Sequence, residues 1–394
     1  MSPIQYSRPA GQAGATTFEA PMQDTTSYDG FDINLGGAFT QQMQAVDQSG
    51  PNLDNDAIGR GFNLATANLD LDAQMARGIQ LHVRTYLSSR HHPEAWVKGG
   101  YLQVNELPMF NSEAVDRVME NLSIRAGHFI PNYGDAHFRR SDNADAIHNP
   151  FVGNNILDAF TTEVGAEVTY QSNGFLAMGG FGGALNPTVN SPDDRAPSWR
   201  GKLGYDTQVN DLIRVRLTGS AYTTVKSNSG QLHSGDRAGS RYYNVVGGGD
   251  WSGRVRINYA DEVTAFMVNP FVKIGGLELF GTIETLSGEA SGLSDGSANQ
   301  FAGEAVYRFW NEDLFLGARY NTMSGDVNLA GFGDPPNWND VTVDRWQLSA
   351  GWFMTENILV KGEYVTQSYE DYPTGVIERG AEFDGFMLEG VVSF

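Results

Sequence analysis

The chain has 394 residues, 40% hydrophobic and 19% charged, with mean hydropathy of -0.34. Its 26 basic and 47 acidic residues give a net charge of -21, which excludes the basic stripe that a nucleic-acid partner requires. The absence of Cys removes disulfides and thiolate metal sites, and no stretch has the roughly 18 to 20 apolar residues of a membrane-spanning helix.

Residues 1–29, "MSPIQYSRPAGQAGATTFEAPMQDTTSYD", are polar and punctuated by Pro and Gly. They lack the apolar core of a signal peptide, so an exported chain would be read here in mature form. They are expected as an N-terminal periplasmic extension, an extended segment outside the wall, followed by one domain over 30–394. No composition break divides that domain.

From "GFDINLGGAF" onward the text alternates with period two. "RGIQLHVRTYL" is a strand, and "MFNSEAVDRVMENL" at 109–122 is the one helix-like stretch, with Ser112 as N-cap and Ala114, Val115, Val118 and Met119 on one side. "LSIRAGHF", "EVGAEVTY" and "SWRGKLGYD" follow. In "DLIRVRLTGSAYTTVK", Ile213, Val215, Leu217, Gly219, Ala221 and Val225 share one face, opposite Arg214, Arg216, Thr218, Ser220, Tyr222, Thr224 and Lys226. "SRYYNVVGG" reads as a descending strand needed for parity. "LELFGTIET", "FAGEAVYRF", "LFLGARYN", "RWQLSAGWF", "NILVKGEYVTQ" and the terminal "FMLEGVVSF" complete the series.

The polar faces carry charge of both signs, including His82, Arg84, Arg125, Glu163, Glu167, Arg200, Lys202, Glu278, Glu284, Glu304, Arg308 and Arg319. Short connections at 172–174, 273–276, 311–313 and 354–357 alternate with long polar ones at 47–58, 135–161, 186–197, 228–240, 289–299, 326–340 and 370–381. Strands of 11 to 14 residues exceed the common length of about 5 to 6 in globular sheets. A water-soluble β fold would bury one face and wet the other. Here both faces of a long meander need an environment, which a closed barrel with polar side chains inward and apolar ones in lipid supplies.

The expected fold is therefore all-β: an antiparallel up-and-down transmembrane β-barrel of about 18 strands, with 16 as the alternative. Its last strand would pair with the first, and Phe394 would join Trp352, Tyr205 and Tyr320 in an aromatic girdle.

"SIRAGHFIPNYGD" (123–135), the insertion "AHFRRSDNADAIHNPFVGNNILDAFTTEVGAEVTY", "DEVTAFMVNPFVKIGGLELFGTIE" (261–284) and the terminal "LEGVVSF" occur in an order that resembles outer-membrane porins, most closely the phosphate-selective porin O and P family. The resemblance implies a bacterial outer-membrane channel, commonly a homotrimer, with a loop folded into the lumen, set among outer-membrane lipids and lipopolysaccharide. It does not extend to phosphate selectivity, because Glu is interleaved among the inward bases.

The insertion at 135–161 is the expected constriction, through His137, Arg139, Arg140, Asp142, Asp145 and His148. Arg139 and Arg140 would line one side with Arg125, Arg214 and Arg216 nearby, so that opposed charges set a transverse field. The bland reading takes "FRRSDNAD" as a solvated loop whose charges pair locally, and pairs Arg214 and Arg216 with Glu278 or Glu304 on neighbouring walls. Arg319 is a further lumen residue. Arg254 and Arg256 form a second i, i+2 pair.

No HExxH motif or third ligand accompanies the histidines, His91 and His92 included, and the acids at 54, 56, 70 and 72 lack a calcium-loop pattern. No cofactor is expected. GxSxG and Walker motifs are absent, so the chain is read as no enzyme, although a triad drawn from distant strands of an outer-membrane hydrolase would not show in sequence. The expected function is passive diffusion of small polar or ionic solutes. The alternative is a non-conducting structural or partner-binding barrel plugged by its loops.

Overall fold

The computed structural model describes residues 4–394 apart from 24–25, 54–57, 89–94, 184–195, 228–231, 234–240, 248–252, 258, 260, 291–292, 294 and 330–336. Asp54, Asp56, His91 and His92 thus lie outside the described residues.

Period-two alternation becomes a single antiparallel sheet closed on itself. Its strands are β1 (Asp32–Ser49), β2 (Gly61–Phe62), β3 (Thr66–Ala76), β4 (Ile79–Ser88), β5 (Ala95–Val104), β6 (Leu122–Phe129), β7 (Glu163–Ser172), β8 (Phe175–Gly182) and β9 (Ser198–Gln208). The remainder are β10 (Ile213–Thr224), β11 (Val263–Ile274), β12 (Leu277–Gly288), β13 (Gly296–Phe309), β14 (Leu314–Asn328), β15 (Trp338–Thr355), β16 (Ile358–Glu370) and β17 (Glu382–Ser393). The two-residue β2 pairs with β1 at Met43 and Gln44, so the wall is a 16-strand barrel with one extra strand.

The count of 18 falls to its alternative for two reasons: residues 241–247 of "SRYYNVVGG" form no strand, and the two-residue β2 is only an extra pairing beside β1. Asn244 and Val246 take positive φ (60° and 51°), and Val245–Gly247 is a 3-10 turn. Alternating aromatic and β-branched residues mimic a strand there, but Arg241 and Tyr242 are buried inside the barrel. Likewise Arg254 and Arg256 lie in the irregular segment before β11, on no strand.

The seam forms where expected. β17 pairs with β1 from Ala38↔Ser393 to Ser49↔Glu382, and β1 pairs on its other side with β3. Gly37 and Phe394 exchange backbone hydrogen bonds of 2.9 and 3.0 Å, which fasten the end of the chain.

The outer face is apolar. Trp199, Leu203, Leu217, Phe266, Leu348 and Phe386 each expose more than half of their surface. A continuous exposed band of this kind belongs in lipid rather than water. Tyr205, Tyr307, Trp352 and Phe394 lie toward the short-turn end. Tyr320 belongs to a second level with Trp346 (ring centroids 4.6 Å apart), beside Tyr364 and Phe386 (5.0 Å), rather than to the level of Phe394.

At the short-turn end the connection between β5 and β6 carries α1 (Glu113–Met119), where Asp116 N donates to Ser112 O. Ser112 stands at the N-cap without a side-chain cap, and Met119 is buried while Val118 is exposed.

The interior differs from a uniformly polar lumen. On the β11 to β17 side, inward residues toward the long-loop end are apolar, including Val263, Met267, Met323, Val341, Val343, Val365, Phe383 and Met387. They pack on Tyr133 of the corner after β6, on Val152, Ile156 and Leu157 of the insertion and on Tyr242, Val245, Val255, Ile257 and Tyr259 of the connection before β11. The barrel thus encloses a hydrophobic core made from its own loops.

Candidate functional site: the lumen beside the insertion

The insertion leaves β6 through "FIPNYGD". Gly134 has φ of +67°, and a Cβ there would run into Met267 Sδ, so this corner requires glycine. Asp135 then anchors the loop on β9 and β10. It accepts from Lys202 Nζ (2.6 Å), Arg216 Nε (2.9 Å) and Thr218 Oγ1 (2.8 Å). Burial alone would raise its carboxyl, but Lys202 and Arg216 hold it well below the usual carboxylate range.

Beyond this anchor the predicted residues separate into two groups. Arg139 is buried against β12 and β13, with Nη2 3.2 Å from Glu278 and Nε 3.6 Å from Glu304. Glu278 also takes Arg308 (2.7 Å), and Glu304 takes Arg319 (3.1 Å). Arg319 Nη2 donates to Gly153 O at 2.5 Å. These charges fasten the loop to the wall; Arg139 lies away from the main cavity and is not beside Arg125.

Arg214 and Arg216 are also fully engaged. Arg214 pairs with Asp206 on the adjacent strand (2.6 Å), and Arg216 joins Asp135, Asp206 (3.2 Å) and Glu19 (2.8 Å). The bland reading therefore holds in kind, but their partners are Asp206, Asp135 and Glu19 rather than Glu278 or Glu304.

The second group borders a cavity of about 370 Å³ between the insertion and strands β3 to β7. Arg140, Asp142, Asp145, His137 and His148 line it from the loop, while Asp70, His82, Arg84, Lys98, Tyr101 and Arg125 line it from the wall. Arg84 spans the two sides, 2.8 Å from Asp70 and 3.0 Å from Asp145. Arg140 pairs with Asp158 (2.6 Å) and lies over Phe160.

Arg125 has no carboxylate in ion-pair range among the described residues. Its guanidinium lies 4.6 Å from the Tyr101 ring centroid and 3.5 Å from Gln103 Oε1. Gly127, with φ of +141°, lets the Tyr101 backbone approach, since a Cβ would stand 2.6 Å from Tyr101 Cα.

Burial favours the neutral form of both loop histidines. Burial, followed by Lys202 and Arg140, pushes His137 well below its ordinary value. Burial and Arg8 lower His148 to about 3 against the pull of Asp145, and its Nε2 lies 3.1 Å from Gly11 O. Among the described residues no cluster of His, Asp and Glu is arranged to hold a metal ion.

Sequence reasoning missed the residues before β1. Arg8 Nη2 donates to Gly14 O and Phe138 O (2.8 Å each), and Glu19 pairs with Lys202 (2.9 Å) and Arg216. Residues 4–19 lie in the lumen at the short-turn end, not outside the wall. Nothing in a Pro- and Gly-punctuated text marks an inward course. Lys361, within "NILVKGEYVTQ", was also overlooked: it is buried and donates to the carbonyls of Ala146, Asn149 and Phe151.

No family model matches the chain, and no curated protein is similar to it. Solved structures are similar in fold. OprB of Pseudomonas putida has 13% identity over 92% of this chain and 94% of its own, with a TM-score of 0.58. A loop L8 deletion mutant of OmpT, an outer membrane protein of Vibrio cholerae, has 11% identity over 93% and 100%, with a TM-score of 0.54. An anion-selective porin from Comamonas acidovorans has 12% identity over 93% and 100%, with a TM-score of 0.53. At these identities the likeness is one of fold: the chain has the architecture of outer-membrane β-barrel proteins.

Proposed function

We propose that this chain is a passive diffusion channel of the bacterial outer membrane for small polar or ionic solutes. The carrying observation is the cavity of about 370 Å³, lined by opposed charges and running beside an inserted loop within a lipid-facing barrel. Solutes would pass along β3 to β7, because the β11 to β17 side is filled by the loop core. Size exclusion and the field between the Arg125 wall and the Asp142 and Asp145 loop would select among them, with no chemical step. A trimer form of the Vibrio cholerae protein is among the similar structures, and a homotrimer is carried to this chain as part of the proposal.

The test is conductance of the purified protein in planar bilayers, with a salt gradient to read the reversal potential. Discrete steps whose ion preference shifts in Arg125→Ala support the reading. A folded protein that never conducts refutes it in favour of a plugged structural barrel, the reading that the buried loop core favours.

A further inference from the structure

Two kinds of material fill this lumen, and they are held differently. The insertion buries Ile147, Phe151, Val152, Ile156 and Leu157 to 1% exposure or less, so it is a permanent part of the core. The segment preceding β1 is held mainly by polar contacts rather than by a buried apolar run: Gln5 bonds Gln74 and Gln80, and Arg8 the carbonyls of Gly14 and Phe138. Gln12 N donates to Glu356 O (2.8 Å) and its side chain to Asp313 (3.3 Å); Tyr6 OH donates to Glu106 (3.0 Å). Its largest apolar anchor is Phe18, packed edge-on to Phe271 and Phe138 with ring centroids 5.3 and 5.9 Å away. Next to it, Glu19 closes the ion pairs with Lys202 and Arg216.

The same segment lines the cavity through Tyr6, Arg8, Phe18 and Glu19. It contributes no strand to the sheet, so it can leave without opening the wall.

We propose that the segment ending in Phe18 and Glu19 is a strap that gates the short-turn mouth: docked it narrows the solute path, undocked it widens it. This rests on the channel reading. The insertion sets the permanent constriction and the strap the variable one.

The native chain has no cysteine, which makes thiol chemistry specific. A Gln12→Cys/Asp313→Cys variant, bridged by a short cleavable bis-thiol reagent, fixes the strap in place. Phe18→Ala/Glu19→Gln removes its anchor, with thiol labelling of an added Ala10→Cys reporting release. The expected result is a severalfold rise in unitary conductance for the released strap, and a fall on bridging that cleavage reverses. Conductance unchanged in both variants, with labelling showing release, overturns the strap while leaving the channel intact. Silence of the folded wild type and both variants removes the channel reading and the gate with it.

Discussion

Lys361→Met should loosen the inserted loop where it meets β16. The Lys361 ammonium is buried on β16 and stands 2.9 Å from Glu389 Oε2. It also donates to three loop carbonyls, at 2.9 Å (Ala146), 2.7 Å (Asn149) and 2.8 Å (Phe151). Methionine fills similar space without a donor, so those carbonyls lose their cation. Glu389 keeps Gln42 (2.5 Å) and a distant Arg241 (3.7 Å). Removing one partner of a buried pair costs about 3–5 kcal/mol, because the other charge stays desolvated. Glu389→Gln in the same chain removes that stranded charge and should recover at least about 1 kcal/mol. Urea unfolding in lipid vesicles, followed by tryptophan fluorescence, measures the energies, and proteolysis within 136–161 reports release of the loop. A single variant within about 0.5 kcal/mol of wild type, or a double variant no more stable than the single, would refute this account.

Leu348 faces outward near the middle of β15, so Leu348→Arg should cost about 2–4 kcal/mol in the same unfolding assay, as expected for a cation on the lipid face. Arg140→Ala should shift the reversal potential, whereas Arg139→Ala, which removes a cation away from the cavity, should leave selectivity unchanged and loosen the loop. His148 lies at about 3 when folded against an ordinary 6.5, so the unfolded chain takes up its proton first. Its contribution to loop docking is complete above about pH 6.5 and declines as pH falls toward 3. His148→Gln should flatten the proteolysis-pH curve of the loop across that window; an unaltered curve would assign the dependence to carboxylates.

Alternation made the wall legible, because lipid and lumen impose opposite polarities on successive residues whatever the loops do. Ile213, Val215 and Leu217 could be separated from Arg214, Arg216 and Thr218 without coordinates. The seam between β17 and β1 was readable for the same reason: a strand ending in Phe394 needs a partner. Irregular backbone carries no comparable period. "SRYYNVVGG" alternates like a strand, yet positive φ at Asn244 and Val246 turns it into the lumen. Arg139 and Arg140 are adjacent in sequence, and only the loop's path decides that one faces Glu278 and the other the cavity. Inward Val341 and Val343 were ambiguous, since their partners Ile156 and Tyr242 come from distant connections.

The enclosed loop core also depends on the pairing that closes the chain's two ends. Its members come from connections flanking β6, β11 and β17, whereas the last pairing joins residues some 350 positions apart, such as Ala38 with Ser393. Contacts so distant in sequence form late, after local hairpins have zipped. The complete wall against which Ile156, Tyr242 and Ile257 pack exists only once that pairing is made, so the terminal strand is a latch on which the interior as well as the sheet depends.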